Sequence, residues 1–254
     1  MVTKSEPQKS LTSAISYKAG RSRGKISVRH KGGRVKRLYR FVDLSLNEKL
    51  GVKGRIESIE YDPYRTSRIA LVLYQDGERC YMLAPESIKV GDEVLTDAKK
   101  LPFKAGMRMT LAFIPAGTLV HNIALHPGGK GRIVRGGGTS AQVSSAQGDF
   151  IQVKLPSSEV RLFHKNCFAS IGQVSNPEHG TITWVKAGRM RKRGIRPTVR
   201  GVAMSPYAHP HGGGEGRTGE GRNPKTPWGK KARGVKTRKK HKYSDTFIIS
   251  RRKK

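Results

Sequence analysis

Between residues 54 and 174 apolar and polar residues alternate in short runs cut by turn residues, and a period of two predicts β-strands rather than helices. The first series of predicted strands covers 54–61, 67–75, 78–83, 93–96, 109–113 and 118–124. Asp76-Gly77 joins two of them and favours a two-residue hairpin turn. A glycine-rich stretch, His126-Pro127-Gly128-Gly129-Lys130-Gly131, follows. The second series covers 140–146, 150–155, 160–163 and 170–174, with turn chemistry at Gly148-Asp149 and Pro156-Ser157-Ser158. Each series has enough strands for one small closed sheet, so the pattern predicts an all-β chain of two tandem small barrels rather than one large sandwich. The one helical hint is a basic segment at 184–193, and beyond Arg196 no periodicity is sustained.

Charge changes this picture at both ends. The chain has 51 Lys+Arg against 18 Asp+Glu, a formal net charge of +33 over 254 residues. Residues 1–40 carry 12 basic and 1 acidic side chain, residues 41–184 carry 17 and 14, and residues 185–254 carry 22 and 3. A nearly neutral β core is thus flanked by two polycationic arms, too polar to bury a core and expected to lack structure until a polyanion orders them. The predicted division is a basic N-terminal arm (1–37), a first barrel (38–125), a second barrel with a basic junction (126–196) and an extended basic tail (197–254).

Several classes fall away. A polybasic membrane protein needs an apolar anchor, and the longest apolar run, at 69–74, is too short to span a bilayer. Ser, Thr and Lys near the N-terminus hint at an organellar presequence, but Glu6 and the lack of an apolar face count against it, and the mature chain is read as starting at or near Met1. Cys80 and Cys167 lie far apart in apolar runs, which predicts buried reduced thiols in a reducing compartment. No Cys/His spacing suits zinc.

The candidate polyanion contacts follow the basic blocks. Arg21, Arg23, Arg29, His30, Lys31, Arg34, Lys36 and Arg37 are interleaved with glycines, which lets backbone approach a phosphate chain while arginines fork onto its oxygens. Arg65 precedes the strand predicted at 67–75 and Arg68 lies at its start. Arg189, Arg191, Lys192, Arg193, Arg196 and Arg200 form the junction block, and Arg217, Arg222, Arg233, Lys236 and Arg238 mark the tail. The run Arg251-Arg252-Lys253-Lys254 closes the chain. A nuclear-localisation signal is the other reading of such clusters, and three widely separated blocks argue against it.

Ala208-His209-Pro210-His211-Gly212-Gly213-Gly214-Glu215-Gly216-Arg217 looks most like chemistry. A metal site would need a third ligand, and Pro210 imposes extended geometry on the two histidines. An enzyme would need a nucleophile and an orienting acid, and Glu215 is the one carboxylate nearby. The remaining reading is structural: Gly212, Gly213 and Gly214 remove side chains so that the strand can thread packed nucleic acid, with the imidazoles of His209 and His211, and with Trp228 and Tyr243, stacking on bases.

Ile69-Ala70-Leu71-Val72-Leu73-Tyr74 with Asp76-Gly77-Glu78-Arg79, Val120-His121-Asn122-Ile123, the run from Arg196 to Met204, the glycine-histidine block at 209–217 and Thr226-Pro227-Trp228-Gly229 together resemble the second protein of the large ribosomal subunit in its bacterial or organellar form. The resemblance runs from about Gly20 onward. It implies an OB-like barrel followed by an SH3-like barrel, with extensions that penetrate large-subunit rRNA. It also implies a place near the peptidyl-transferase centre, neighbouring ribosomal proteins, a bridge to the small subunit and nearby tRNA, in a cytoplasmic or organellar ribosome. No cofactor, metal, membrane or homo-oligomer is implied. His209 matches a family histidine discussed in connection with peptidyl transfer; because the catalytic centre there is RNA, the resemblance makes His209, Gly212, Gly213, Gly214 and Glu215 supporting residues, none of them catalytic. The chain departs from the family in having Ala208 where bacterial members usually carry aspartate, and in a shorter N-terminal arm. The competing classes are a free nucleic-acid-coating protein and an enzyme using His209.

Overall fold

The structure is a computed structural model that describes residues 2–252; Met1, the expected start, and Lys253 and Lys254 of the last basic run lie outside the described residues. The chain divides into two compact units, one built from 1–16, 37–183 and 243–254, the other from 17–36 and 184–242. Apart from one helix, Ala187–Lys192, and short 3-10 turns, the regular structure described is all β.

The first unit holds two larger sheets and two two-stranded ones. Four antiparallel strands lie in the order Arg79–Leu83, Ile69–Tyr74, Gly54–Glu60 and Glu93–Val94. Ile56, Val72, Met82 and Val94 bury one face, while Ile69, Leu71 and Tyr81 are covered on the other, which is why 69–74 reads as a continuous apolar run. The hairpin at Asp76-Gly77 forms, but with a three-residue loop. Tyr74 and Glu78 pair, the Gly77 N–H donates to the Tyr74 carbonyl at 2.9 Å, and Gly77 sits at φ +82°, the left-handed bulge position that follows a type I turn. The Lys49 ammonium, almost enclosed, bonds both Asp76 and Glu78 and so bridges the loop to the strand that leaves it.

Seven antiparallel strands form the second sheet, in the order Ile248–Ser250, Val160–His164, Phe150–Lys154, Ala141–Gln147, Leu119–His121, Phe168–Ile171 and Arg108–Thr110. The strands predicted at 109–113 and 118–124 therefore pair here and not with the first series. The first stops at Thr110 and turns into a 3-10 segment, Leu111–Phe113; the second is broken at Asn122, which is left-handed at φ 49°. Burial decides the matter, because Met109, Leu111, Val120 and Ile123 share a core with Val143, Ile151, Val153 and Phe163. The glycine-rich stretch 126–131, read from the sequence as the link between barrels, is a hairpin tip joining Ile123–Ala124 to Gly131–Ile133. The strand predicted at 170–174 is Phe168–Ile171.

Both arms are also corrected. Residues predicted to be structureless up to 37 begin on the first sheet: the Thr3 N–H donates to the Ile59 carbonyl at 2.9 Å, the Gln8 N–H to the Tyr81 hydroxyl at 2.8 Å, and Thr12–Ala14 pairs with Leu38–Arg40. The far end of the predicted tail returns as Ile248–Ser250 to pair with Val160–His164. What lies between, 17–36 and 184–242, forms the second unit. Cys167 is buried, whereas Cys80 is half-exposed, contrary to expectation, and both are free thiols; burial pushes the Cys167 thiol up to about 11.

Candidate nucleic-acid interface

The second unit carries 26 basic and 2 acidic side chains in 79 residues, a net of +24, which leaves +9 for the other 175 residues. The charge is thus gathered into one folded body rather than spread along two separate arms. Backbone hydrogen bonds join its two segments. The Arg196 N–H donates to the His30 carbonyl at 3.1 Å, the Gly32 N–H to Gly194 at 3.0 Å and the Val35 N–H to Lys192 at 3.1 Å, around an antiparallel bridge between Lys31 and Ile195. Partnered backbone in so polar a segment matters, because an apolar core is not available to hold it.

Aromatic rings hold the cations in place. The Arg193 guanidinium lies 4.0 Å from the Trp184 ring centroid, Arg34 lies 4.2 Å from Tyr17 and Arg29 lies 5.2 Å from Trp228, each an attraction between cation and π face. The helix Ala187–Lys192 projects Arg189 and Lys192 into solvent, while Arg191 and Arg193 are half-buried. A two-stranded hairpin pairs Arg21–Ser22 with Lys25–Ile26 through Arg23 and Gly24, both left-handed, and every residue of it is exposed.

The structure sorts the predicted contacts. Arg21, Arg23, Arg29, His30, Lys31, Lys36, Arg189, Lys192, Arg196, Arg200, Arg217, Arg222, Trp228, Arg233, Lys236 and Arg238 are exposed on the cationic unit, and Arg34, Arg191 and Arg193 are half-buried in it. Arg37, Arg65 and Arg68 belong to the other unit. There Arg37 donates to the Pro63 carbonyl, Arg65 is ion-paired with the buried Asp62, and the Arg68 N–H meets the Ser175 hydroxyl. Lys18 and Lys25, not singled out in the sequence, sit exposed beside the predicted set; their charge was the signal, and the hairpin that displays Lys25 was not legible.

The histidine block is a self-packed knot. His209 and His211 are 8% and 7% exposed, with their rings stacked at 5.0 Å and 27°. The His211 N–H donates to His209 Nδ1 at 3.0 Å. His211 Nε2 accepts from the Lys225 N–H at 2.8 Å, so its ring proton is on Nδ1, facing the Glu220 carbonyl at 3.1 Å. The glycines face the chain itself. A Cβ on Gly201 would sit 2.5 Å from the His209 ring, one on Gly212 2.4 Å from the Ser205 carbonyl oxygen, one on Gly213 2.8 Å from Pro206 and one on Gly214 2.3 Å from Thr218. The expectation that these glycines make room for nucleic acid and that the imidazoles reach bases gives way to a tighter account: they make room for this loop, and both rings are covered by it. Glu215 is exposed. Among the described residues no group of three His, Cys, Asp or Glu side chains is placed to hold a metal, and no helix is long and apolar enough to cross a membrane.

Two small β modules carrying a dense, folded cationic unit define a polyanion-binding protein of the all-β class. Comparison with protein families narrows the class. Residues 8–96 match the family model described as the RNA-binding N-terminal domain of ribosomal proteins L2, and residues 104–229 match the C-terminal domain of the same proteins. The chain belongs to the ribosomal protein L2 family. The two matched segments part at 97–103, where the chain passes between the sheets, and not at 126–131.

Proposed function

We propose that the chain is a structural component of the large ribosomal subunit that binds its rRNA, near the peptidyl-transferase centre. In this reading it supports subunit association through an inter-subunit bridge, tRNA binding and peptide-bond formation at an RNA catalytic centre, beside other ribosomal proteins, in a cytoplasmic or organellar ribosome. The observation that carries the reading is the +24 charge on a unit of 79 residues, in a chain whose family model is described as RNA binding. A body of that charge density is repelled by itself unless phosphates neutralise it.

Its exposed arginines supply phosphate contacts in number. Ten such contacts give a log-log salt slope of about −7 to −9, so binding is steeply salt-dependent, and RNA shape, loops and 2′-hydroxyls carry most of the selectivity. His209 acts by position: its ring is packed against Gly201 and His211 and its Nδ1 is occupied, which supports a role in holding the loop rather than in proton transfer.

The test is sedimentation of native lysate through a magnesium-containing gradient after a high-salt wash, with the chain followed by mass spectrometry. Retention in the large-subunit peak is the expected result. Release to the top of the gradient, or equal affinity for bulk RNA and large-subunit rRNA, would instead make it a free nucleic-acid-coating protein.

A further inference from the structure

A cavity of about 230 Å³ opens in the second sheet, outside the cationic unit and outside the histidine knot. Its walls are aromatic: Phe150 and Phe163 from neighbouring strands, Phe247 from the returning segment, the His164 ring, and Tyr243 at the mouth. Phe150 lies 6.1 Å from Phe247 at 48° and 5.9 Å from His164 at 83°. The Phe247 wall is pinned by its carbonyl, which accepts from the Leu162 N–H at 2.8 Å. Tyr243 is 75% exposed.

One cation stands among these aromatic walls, its guanidinium 5.8 Å from the Phe163 ring centroid. Arg161 lines the cavity, and its Nε is shielded from solvent with no hydrogen-bond partner. The Asn166 N–H donates to His164 Nδ1 at 3.2 Å, so the His164 proton is on Nε2. No acidic residue lines the cavity, whereas His126, Arg161 and His164 do.

We propose that this cavity receives one extruded nucleobase of an RNA chain, a reading that rests on the RNA binding proposed above. Size is the first argument: the volume falls below the roughly 300–1,000 Å³ of pockets for drug-sized ligands, which suits a flat ring system rather than a nucleotide cofactor or a peptide. Chemistry is the second. An unstacked base offers two π faces to aromatic walls, and the phosphates flanking it meet a lining that holds Arg161 and no carboxylate.

The experiment uses the full chain bound to large-subunit rRNA transcribed in vitro, probed by methylation of base edges and by 254 nm cross-linking with peptide mapping. Tyr243→Ala and Arg161→Gln are compared with the unaltered chain; Tyr243 is chosen because its exposure spares the core. The expected result is one unpaired base shielded by the unaltered chain and opened by both variants, a cross-link within 150–164 or 243–247, and an affinity loss of about five- to a hundredfold. Identical footprints for all three proteins would overturn the cavity proposal and leave RNA binding standing. A cross-link from the cavity to another protein in native particles would overturn the nucleobase as occupant. Absence of any footprint would remove the RNA reading and this one together.

Discussion

Arg108, fully enclosed, donates from Nη1 to the carbonyl oxygen of Asn122 at 2.7 Å. The same nitrogen reaches the Ser170 hydroxyl at 3.2 Å and Nε reaches the Ser45 carbonyl at 3.2 Å, while Asn122 Nδ2 donates to the Leu44 carbonyl at 3.2 Å. A buried guanidinium held by neutral acceptors thus ties the loop at 44–45 to the second sheet. Burial pushes its pKa down to about 10, still far above any working pH. Arg108→Met keeps the bulk but strips three acceptors of their donor. Loss of about 2 kcal/mol or more is expected, measured as a shift in the urea midpoint at unchanged slope. An unchanged midpoint would mean that the clasp contributes nothing.

His121 gives the fold a pH dependence. Its Nδ1 donates to the Gly172 carbonyl at 2.9 Å, and Nε2 is buried without a partner. Burial, with Arg108 as a nearby like charge, pushes its pKa down to about 4 from 6.5. The folded chain therefore holds His121 neutral while the unfolded chain takes up a proton as pH falls below 6.5. Stability is full above that pH and falls between 6.5 and 4 by up to about 3 kcal/mol. His121→Gln should flatten that part of the stability–pH curve, read by urea titrations from pH 7 to 4; curves that stay parallel would remove His121 as the cause.

The glycine-histidine knot predicts which glycines tolerate a methyl group. Gly201→Ala drives a Cβ into the His209 ring and Gly212→Ala drives one into the Ser205 carbonyl, whereas nothing lies within 4 Å of a Cβ on Gly219. Loss of amide-exchange protection at His211 and Lys225, and reduced incorporation into particles, are expected for the first two and not for Gly219→Ala. Equal behaviour of all three would mean that the glycines serve something outside the loop.

Arg189 and Lys192 stand exposed on the helix of the cationic unit. Replacing both by alanine should weaken rRNA binding across sequences alike and make the log-log salt slope shallower by roughly 1.5–2. A slope unchanged from that of the parent chain would place these side chains away from phosphate.

Much of the first sheet is legible in the chain, because 69–74 and 79–83 are neighbours in sequence and their turn is short. Membership in the second sheet is not. Leu119–His121 pairs with Ala141–Gln147 and Phe168–Ile171, and a two-residue period says that a segment is a strand without saying whose neighbour it becomes. Glycines at 126–131 therefore looked like a linker when they make a hairpin. The cationic residues of the site could be counted from sequence, but not their gathering into one body, which depends on backbone bonds between segments some 160 residues apart. Nor does a run of three glycines reveal what presses against it; Ser205, Pro206 and Thr218 do.

The strand Ile248–Ser250 covers the flank of Val160–His164 only after the ribosome making the chain has finished the whole cationic excursion from 184 to 242. Until then that flank is an open template for pairing with any other chain. A product that stops short of Ile248 keeps its full complement of basic residues up to that point and exposes a sticky sheet edge. Translation errors in the tail should surface as aggregates rather than as soluble, charge-depleted protein.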